Sequence, residues 1–140
     1  MTVVGTGQPG AKGVGGPATE AQLRRPTALA FDPDGNLYIA ERSNHRILKV
    51  DRSGILTVAA GKLRENGTAQ GGFSGDGGLA TEAKLRFAHA IAVGPDGNLY
   101  ISDSGNHRIR MVDADGIITT VAGTGERGFS GDGDLPHKPR

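Results

Sequence analysis

The chain has no cysteine and no tryptophan among its 140 residues. Without cysteine there are no disulfides and no thiolate metal sites, but the compartment stays open, because many secreted bacterial proteins also lack it. Neither sign of charge is in excess: 16 basic residues face 15 acidic ones, for a net charge of +1. Nucleic-acid binders normally carry a basic surplus or stripe. The nearest approach here is the pair Arg24-Arg25, so nucleic acid is not expected as a partner. No apolar run approaches the roughly 18 residues a membrane helix needs. Met1-Thr2-Val3-Val4-Gly5 lacks the basic and apolar regions of a signal peptide. The sequence therefore leaves the localisation undetermined.

Catalytic motifs are scarce too. The glycine-rich stretches are not followed by Gly-Lys-Ser/Thr, so they are not phosphate loops. No Gly-x-Ser-x-Gly elbow occurs, since Gly72-Phe73-Ser74-Gly75 has the wrong spacing. Asp32, Asp34 and Asp96 could suggest calcium, but a calcium loop needs about 6–8 converging oxygens. Gly94 stands where a second copy of Asp32 would be, and turn chemistry is the simpler reading. Asp76 and Asp132, each in Gly-Asp-Gly, read likewise as tight bends. No catalytic residue, metal or cofactor is expected.

What the chain does have is 24 glycines and a near-exact internal repeat. Pro33-Asp34-Gly35-Asn36-Leu37-Tyr38-Ile39 returns as Pro95-Asp96-Gly97-Asn98-Leu99-Tyr100-Ile101. Asn44-His45-Arg46-Ile47 returns as Asn106-His107-Arg108-Ile109, and Val50-Asp51 as Val112-Asp113, all about 62 residues apart. Such a period marks a repeat architecture, whose units bury their apolar faces only against one another.

Each repeat reads as four short β-rich runs bounded by Gly, Pro, Asn or Asp. The first has runs at 27–31, 36–40, 46–50 and 55–59; the second at 89–93, 98–102, 108–112 and 117–122. Leu29 and Phe31 fall on one face of the first run and the alanines on the other. Asp34-Gly35 and Asp96-Gly97 are turns in which Gly accepts φ > 0. Asn44, His45 and Arg46, like Asn106, His107 and Arg108, read as structural turns in which Asn caps while Arg and His pack between units. The linkers repeat as well: Gly72-Phe73-Ser74-Gly75-Asp76-Gly77 returns at 128–133, and Ala18-Thr19-Glu20-Ala21 as Ala80-Thr81-Glu82-Ala83. The latter predicts one helical turn with Thr at the N-cap, and Gln22 completing a capping box in the first copy.

These motifs, recurring in order and in register, resemble NHL repeats, which build β-propellers, most often of six blades. The linker signature is similar to that of bacterial long-repeat NHL proteins, often exported, and to the propeller of teneurins. The resemblance implies an all-β fold of propeller blades, each a four-stranded antiparallel sheet. It divides the chain into 2–7, an outer strand of a preceding blade; 8–25, linker; 26–60, blade 1; 61–87, linker; 88–124, blade 2; and 125–140, a truncated linker. Two blades leave two apolar faces in water, so the chain reads as a window cut from a longer array or as a subunit that completes a ring with other copies. Three copies would supply six blades, with residues 2–7 competing against a neighbour's 119–122 for one edge. The resemblance also implies a non-catalytic scaffold that binds a protein or small ligand at the propeller mouth. Arg24, Arg25, Arg86 and His89, just before the first strands, are the candidate binding residues, because residues that differ between the repeats cluster there. Two rivals remain: a fragment of a lyase- or lactonase-like propeller enzyme with a metal in its channel, and an engineered or truncated cassette with no activity.

Overall fold

A computed structural model describes residues 1–126. The third copy of the glycine-rich linker, at 128–133, and with it Asp132 lies outside the described residues. Eight strands form two four-stranded sheets. The first is β1 (Pro26–Phe31), β2 (Leu37–Glu41), β3 (Arg46–Val50) and β4 (Leu56–Ala60). The second is β5 (Ala88–Val93), β6 (Leu99–Asp103), β7 (Arg108–Val112) and β8 (Ile118–Ala122). Every pairing is antiparallel between consecutive strands. The expected strands are present, shifted at most ends by one residue.

Turn chemistry sets these boundaries. Gly35 and Gly97 adopt φ of 88° and 86° in the first turn of each sheet. Asp32 is enclosed there: its carboxylate accepts from the backbone N–H groups of Asp34 and Asn36, from Asn36 Nδ2 and from the Tyr38 hydroxyl. Burial alone would raise its pKa, but these hydrogen bonds outweigh it and hold the carboxyl below its usual value. Between β2 and β3, and between β6 and β7, a short 3-10 turn ends in His45 or His107, each in the left-handed region.

The register makes each sheet two-faced. Leu29, Ile39, Leu48 and Val58 line up on one face; Ala28, Ala40, Ile47 and Ala60 line up on the other. The second face packs on blade 2, in a core that joins Ala40, Ile47 and Ala60 to Leu85, Leu99, Ile101 and Ile118. The first face is covered partly by its own linker, through Ala18, Ala21 and Leu23. Burial is therefore incomplete at both ends. Leu29 and Phe31 are 65% and 67% exposed, and Ile109 is 37% exposed where its counterpart Ile47 is fully buried.

The helical turn expected at Ala-Thr-Glu-Ala is a 3-10 turn in both copies, Ala18–Glu20 and Ala80–Glu82. Its cap differs from the expectation. Pro17 and Leu79 occupy the N-cap positions with no side-chain cap, so Thr19 caps nothing and Gln22 closes no capping box. The turn is too short to need one; its buried Ala18 or Ala80 is held by the sheet side instead, each N–H donating to Gly54 or Gly116. Residues 2–7 form no strand; Gly5 donates its N–H to Ala18 instead.

Candidate functional site

The end of the second strand in each sheet carries an acid that anchors the approach to the candidate binding residues. Glu41 is fully buried and accepts from the Arg24 backbone N–H at 2.8 Å, from Asn44 Nδ2 and from Arg46 Nε at 2.6 Å. Asp103 does the same in blade 2, accepting from the Arg86 N–H at 2.8 Å, Asn106 Nδ2 at 2.9 Å and Arg110 Nη1 at 3.2 Å. These two acids escaped the sequence reading. The signal was present: an acid at matching positions, immediately after an apolar strand.

The paired arginine comes from different positions in the two repeats. In blade 1 it is Arg46, beside Leu48; in blade 2 it is Arg110, at the position of Leu48. Arg110 is also held by Asp76 at 2.9 Å and by the carbonyls of Ser74 and Lys84. Asp76 in turn accepts from the Thr120 hydroxyl, so its carboxylate is committed to tying the linker to β7 and β8. Arg108, the counterpart of Arg46, instead lies over the Phe73 ring at 3.7 Å.

Asn44 and Asn106 each also donate to a linker carbonyl, that of Gly10 and Gly72 respectively. His45 reaches across the seam. Its Nδ1 accepts the backbone N–H of Phe87 at 2.9 Å, and its ring lies 4.8 Å from the Phe87 ring. An accepting Nδ1 requires a neutral ring with its proton on Nε2. Burial first, then the Arg86 and Arg42 guanidiniums and that of Arg64, push its pKa down, against a smaller opposing pull from Asp103. The folded state thus binds fewer protons at His45 than the unfolded chain does. The stability this contributes is present above the ordinary histidine value of about 6.5 and is lost as pH falls through the lower folded value. The change in stability between pH 7.5 and pH 5, measured by urea unfolding, should be smaller in His45→Asn than in the parent; asparagine tolerates the left-handed backbone.

The four candidate binding residues do not form one cluster. Arg24 and Arg25 precede β1, Arg86 precedes β5, and all three are exposed. His89 lies on β5, exposed, with its carbonyl accepting the Thr27 hydroxyl across the seam. Arg24 and Arg25 together line a cleft of about 510 Å³ with Pro9, Leu23 and Ser43, and Arg24 also lines an adjoining one of about 490 Å³, together with Ser43, Asn44, His45, Arg64 and Thr68. Arg64 belongs to a small hairpin inside the second linker, closed by the Leu63–Ala69 bridge and by an Arg64 N–H bond to the Thr68 carbonyl at 2.7 Å. The hairpin is an insertion: ten residues lie between Gly61 and Gly72, whereas four lie between Gly5 and Gly10. That spacing could have flagged it in the sequence. A larger hollow of about 910 Å³ runs along residues 2–9, with no charged side chain in its lining.

The profile of the Teneurin NHL domain matches residues 4–113 and, in an overlapping register, 70–131. The chain belongs to the teneurin NHL family. It is 41% identical to human Teneurin-4 over 102 residues, and 39% identical to Teneurin-m of Drosophila melanogaster over 101. Each match covers 68% of this chain and 4% of the teneurin, so the chain corresponds to a small part of those proteins. Among solved structures, a Bacteroides thetaiotaomicron protein of unknown function is 28% identical, with a TM-score of 0.57 over 69% of this chain and 23% of its own. An auxiliary nutrient binding protein from Bacteroides ovatus, 24% identical, superposes with a TM-score of 0.59 over 81% of this chain and 26% of its own, and shares the fold. As a teneurin NHL segment the chain is an all-β pair of propeller blades. Among its described residues no helix is long and apolar enough to cross a membrane, and no three His, Asp or Glu side chains converge as a metal site would need.

Proposed function

We propose that this NHL segment is a non-catalytic binding scaffold: two neighbouring blades of a propeller whose arginine-bearing rim takes a protein or small ligand. The observation that carries it is the division of labour among the polar residues. The recurring ones, Asn44 and Arg46 with Glu41, and Asn106 with Asp103, are spent on holding linker to sheet. Arg24 and Arg86 recur but are tied to these acids only through their backbone N–H groups, Arg25 and His89 differ from their counterparts Phe87 and Thr27, and all four stay exposed. Family membership supports an extracellular or extracytoplasmic setting.

The blades need further blades. Leu29 and Phe31 stand where Ile91 and Val93 are packed in the inner seam, and Ile109 stands where Ile47 is buried. Each open face thus repeats one half of a seam that already exists, and other copies of the chain have the right surfaces to cover both. Light scattering after size exclusion tests this. A mass of three chains of 14.4 kDa each, reduced to one chain by Leu29→Asp with Phe31→Asp, is the expected result for a self-completed six-bladed ring. A monomer at all concentrations would rule that ring out.

A further inference from the structure

We propose that the cleft between the two linkers is an oxyanion site, taking a carboxylate or phosphate group of the scaffold's ligand. This rests on the binding-scaffold reading above and names the chemistry of one of its surfaces.

Three observations converge. The first is that the two described linkers differ at this point. In the second repeat the position of Ala11 is Phe73, whose ring fills the space beneath Arg108 and Arg110, at 3.7 and 4.7 Å from their guanidinium carbons. In the first repeat Ala11 leaves that space open, and the inserted hairpin of Leu63–Ala69 roofs it instead of closing it.

The second is charge. Arg24 and Arg64 line the cleft, and none of its lining residues is acidic. The nearest buried acid, Glu41, is already committed to Arg46, Asn44 and the Arg24 backbone. Among the described residues the Arg64 guanidinium makes a single long contact, 3.4 Å to Thr68 Oγ1. Its field also reaches His45, where it helps to keep the imidazole neutral. His45 lines the cleft with its Nδ1 occupied by Phe87, which leaves Nε2–H as the ring's donor.

The third lies beneath the cleft. The Arg46 guanidinium donates through Nη1 to the carbonyls of Ala11, in the first linker, and Gly67, in the hairpin of the second. Its Nη2 is buried and has no hydrogen-bond partner among the described residues. A buried guanidinium nitrogen without an acceptor is costly, and Arg110 in the other repeat has carbonyl or carboxylate acceptors on all three of its nitrogens. The first repeat therefore keeps donor capacity at this point that the second has used up, although the charge of Arg46 is paired with Glu41. Planar forks such as guanidinium suit carboxylate and phosphate oxygens, and charge-assisted bonds to them are among the stronger ones.

The test is an NMR titration of the 15N-labelled full chain with inorganic phosphate and, separately, with acetate, at constant ionic strength. Saturable shifts confined to Gly10, Ala11, Ser43, Asn44 and residues 64–71 are expected with at least one probe, and the tighter probe identifies the group. Arg64→Gln should weaken that binding roughly tenfold or more. Replacing residues 62–71 by the four-residue Thr-Gly-Gln-Pro link found at 6–9 should abolish it, while blade 2 resonances certify the fold. Shifts that never saturate with either probe, or saturable shifts unchanged by Arg64→Gln, would overturn the site. Either failure would leave the solution mass, and with it the ring reading, untouched.

Discussion

Glu41→Ala should destabilise the chain by about 3–5 kcal/mol, the usual cost of removing one partner from a buried ion pair. Against a total of about 5–15 kcal/mol for a domain, that brings it near unfolding. Arg46 and Glu41 are both fully buried, and Glu41 is the carboxylate on which Arg46 depends. After the substitution Arg46 keeps the carbonyls of Ala11 and Gly67 but no counter-charge, and the Arg24 N–H and Asn44 amide lose an acceptor as well. Asp103→Ala, at the matching position, should cost less, because Arg110 retains Asp76 at 2.9 Å. Replacing Glu41 and Arg46 together by methionine should recover most of the loss, since the penalty lies in the uncompensated charge rather than in missing volume. Urea midpoints of the four proteins decide the matter; equal losses for Glu41→Ala and Asp103→Ala would contradict the role given to Asp76.

Gly75→Ala should be nearly as damaging. Gly75 has φ of +96°, and a Cβ there would lie 2.6 Å from Ala83 Cβ and 2.7 Å from Ala83 Cα. Ala83 follows the 3-10 turn, is fully buried and belongs to the core between the blades. Relief would need the linker backbone to move away from the sheet. Left-handed strain of about 1–2 kcal/mol per residue and overpacking of typically 1–3 kcal/mol together predict a loss of about 3 kcal/mol. Gly77→Ala is the matched control: φ is +89°, but nothing lies within 4 Å of a Cβ there. It should show the conformational cost alone. Thermal unfolding of both variants separates the two contributions, and equal midpoints would mean that close packing against Ala83 contributes nothing.

The repeat made the sheets legible from sequence. Alternation at Leu29, Ile39 and Leu48, with glycine-closed turns at Gly35 and Gly97, gives strands and register almost directly. The turn residues Asn44 and His45 could be read as structural because they recur without other chemistry-bearing companions. Three things were not legible. The cap on Ala18–Glu20 was misread because a 3-10 turn wedged against a sheet needs no side-chain cap. Glu41 and Asp103 went unread: they recur at matching positions, but nothing local announces that their arginine partners lie on the next strand. The cleft depends on what Ala11 fails to fill and on how the hairpin at 63–69 folds back, and both are tertiary facts. A comparison of glycine spacings between the linkers would have pointed to the hairpin, but not to its direction.

The 3-10 turn Ala80–Glu82 and Leu85, although they precede blade 2, are packed into the seam between the sheets with Ala40 and Ile47 of blade 1. The unit that can be inherited, duplicated or transplanted is therefore a linker with the sheet that follows it, not the sheet alone. A recombination joint placed just before a linker carries the wedge along with its own sheet and recreates a seam of known shape. A joint placed between Leu85 and Ala88 would pair one lineage's wedge with another's strands, and every alanine contact in the seam would have to be found anew. Chimeras of NHL arrays should accordingly tolerate crossovers at the linker's beginning far better than crossovers at its end.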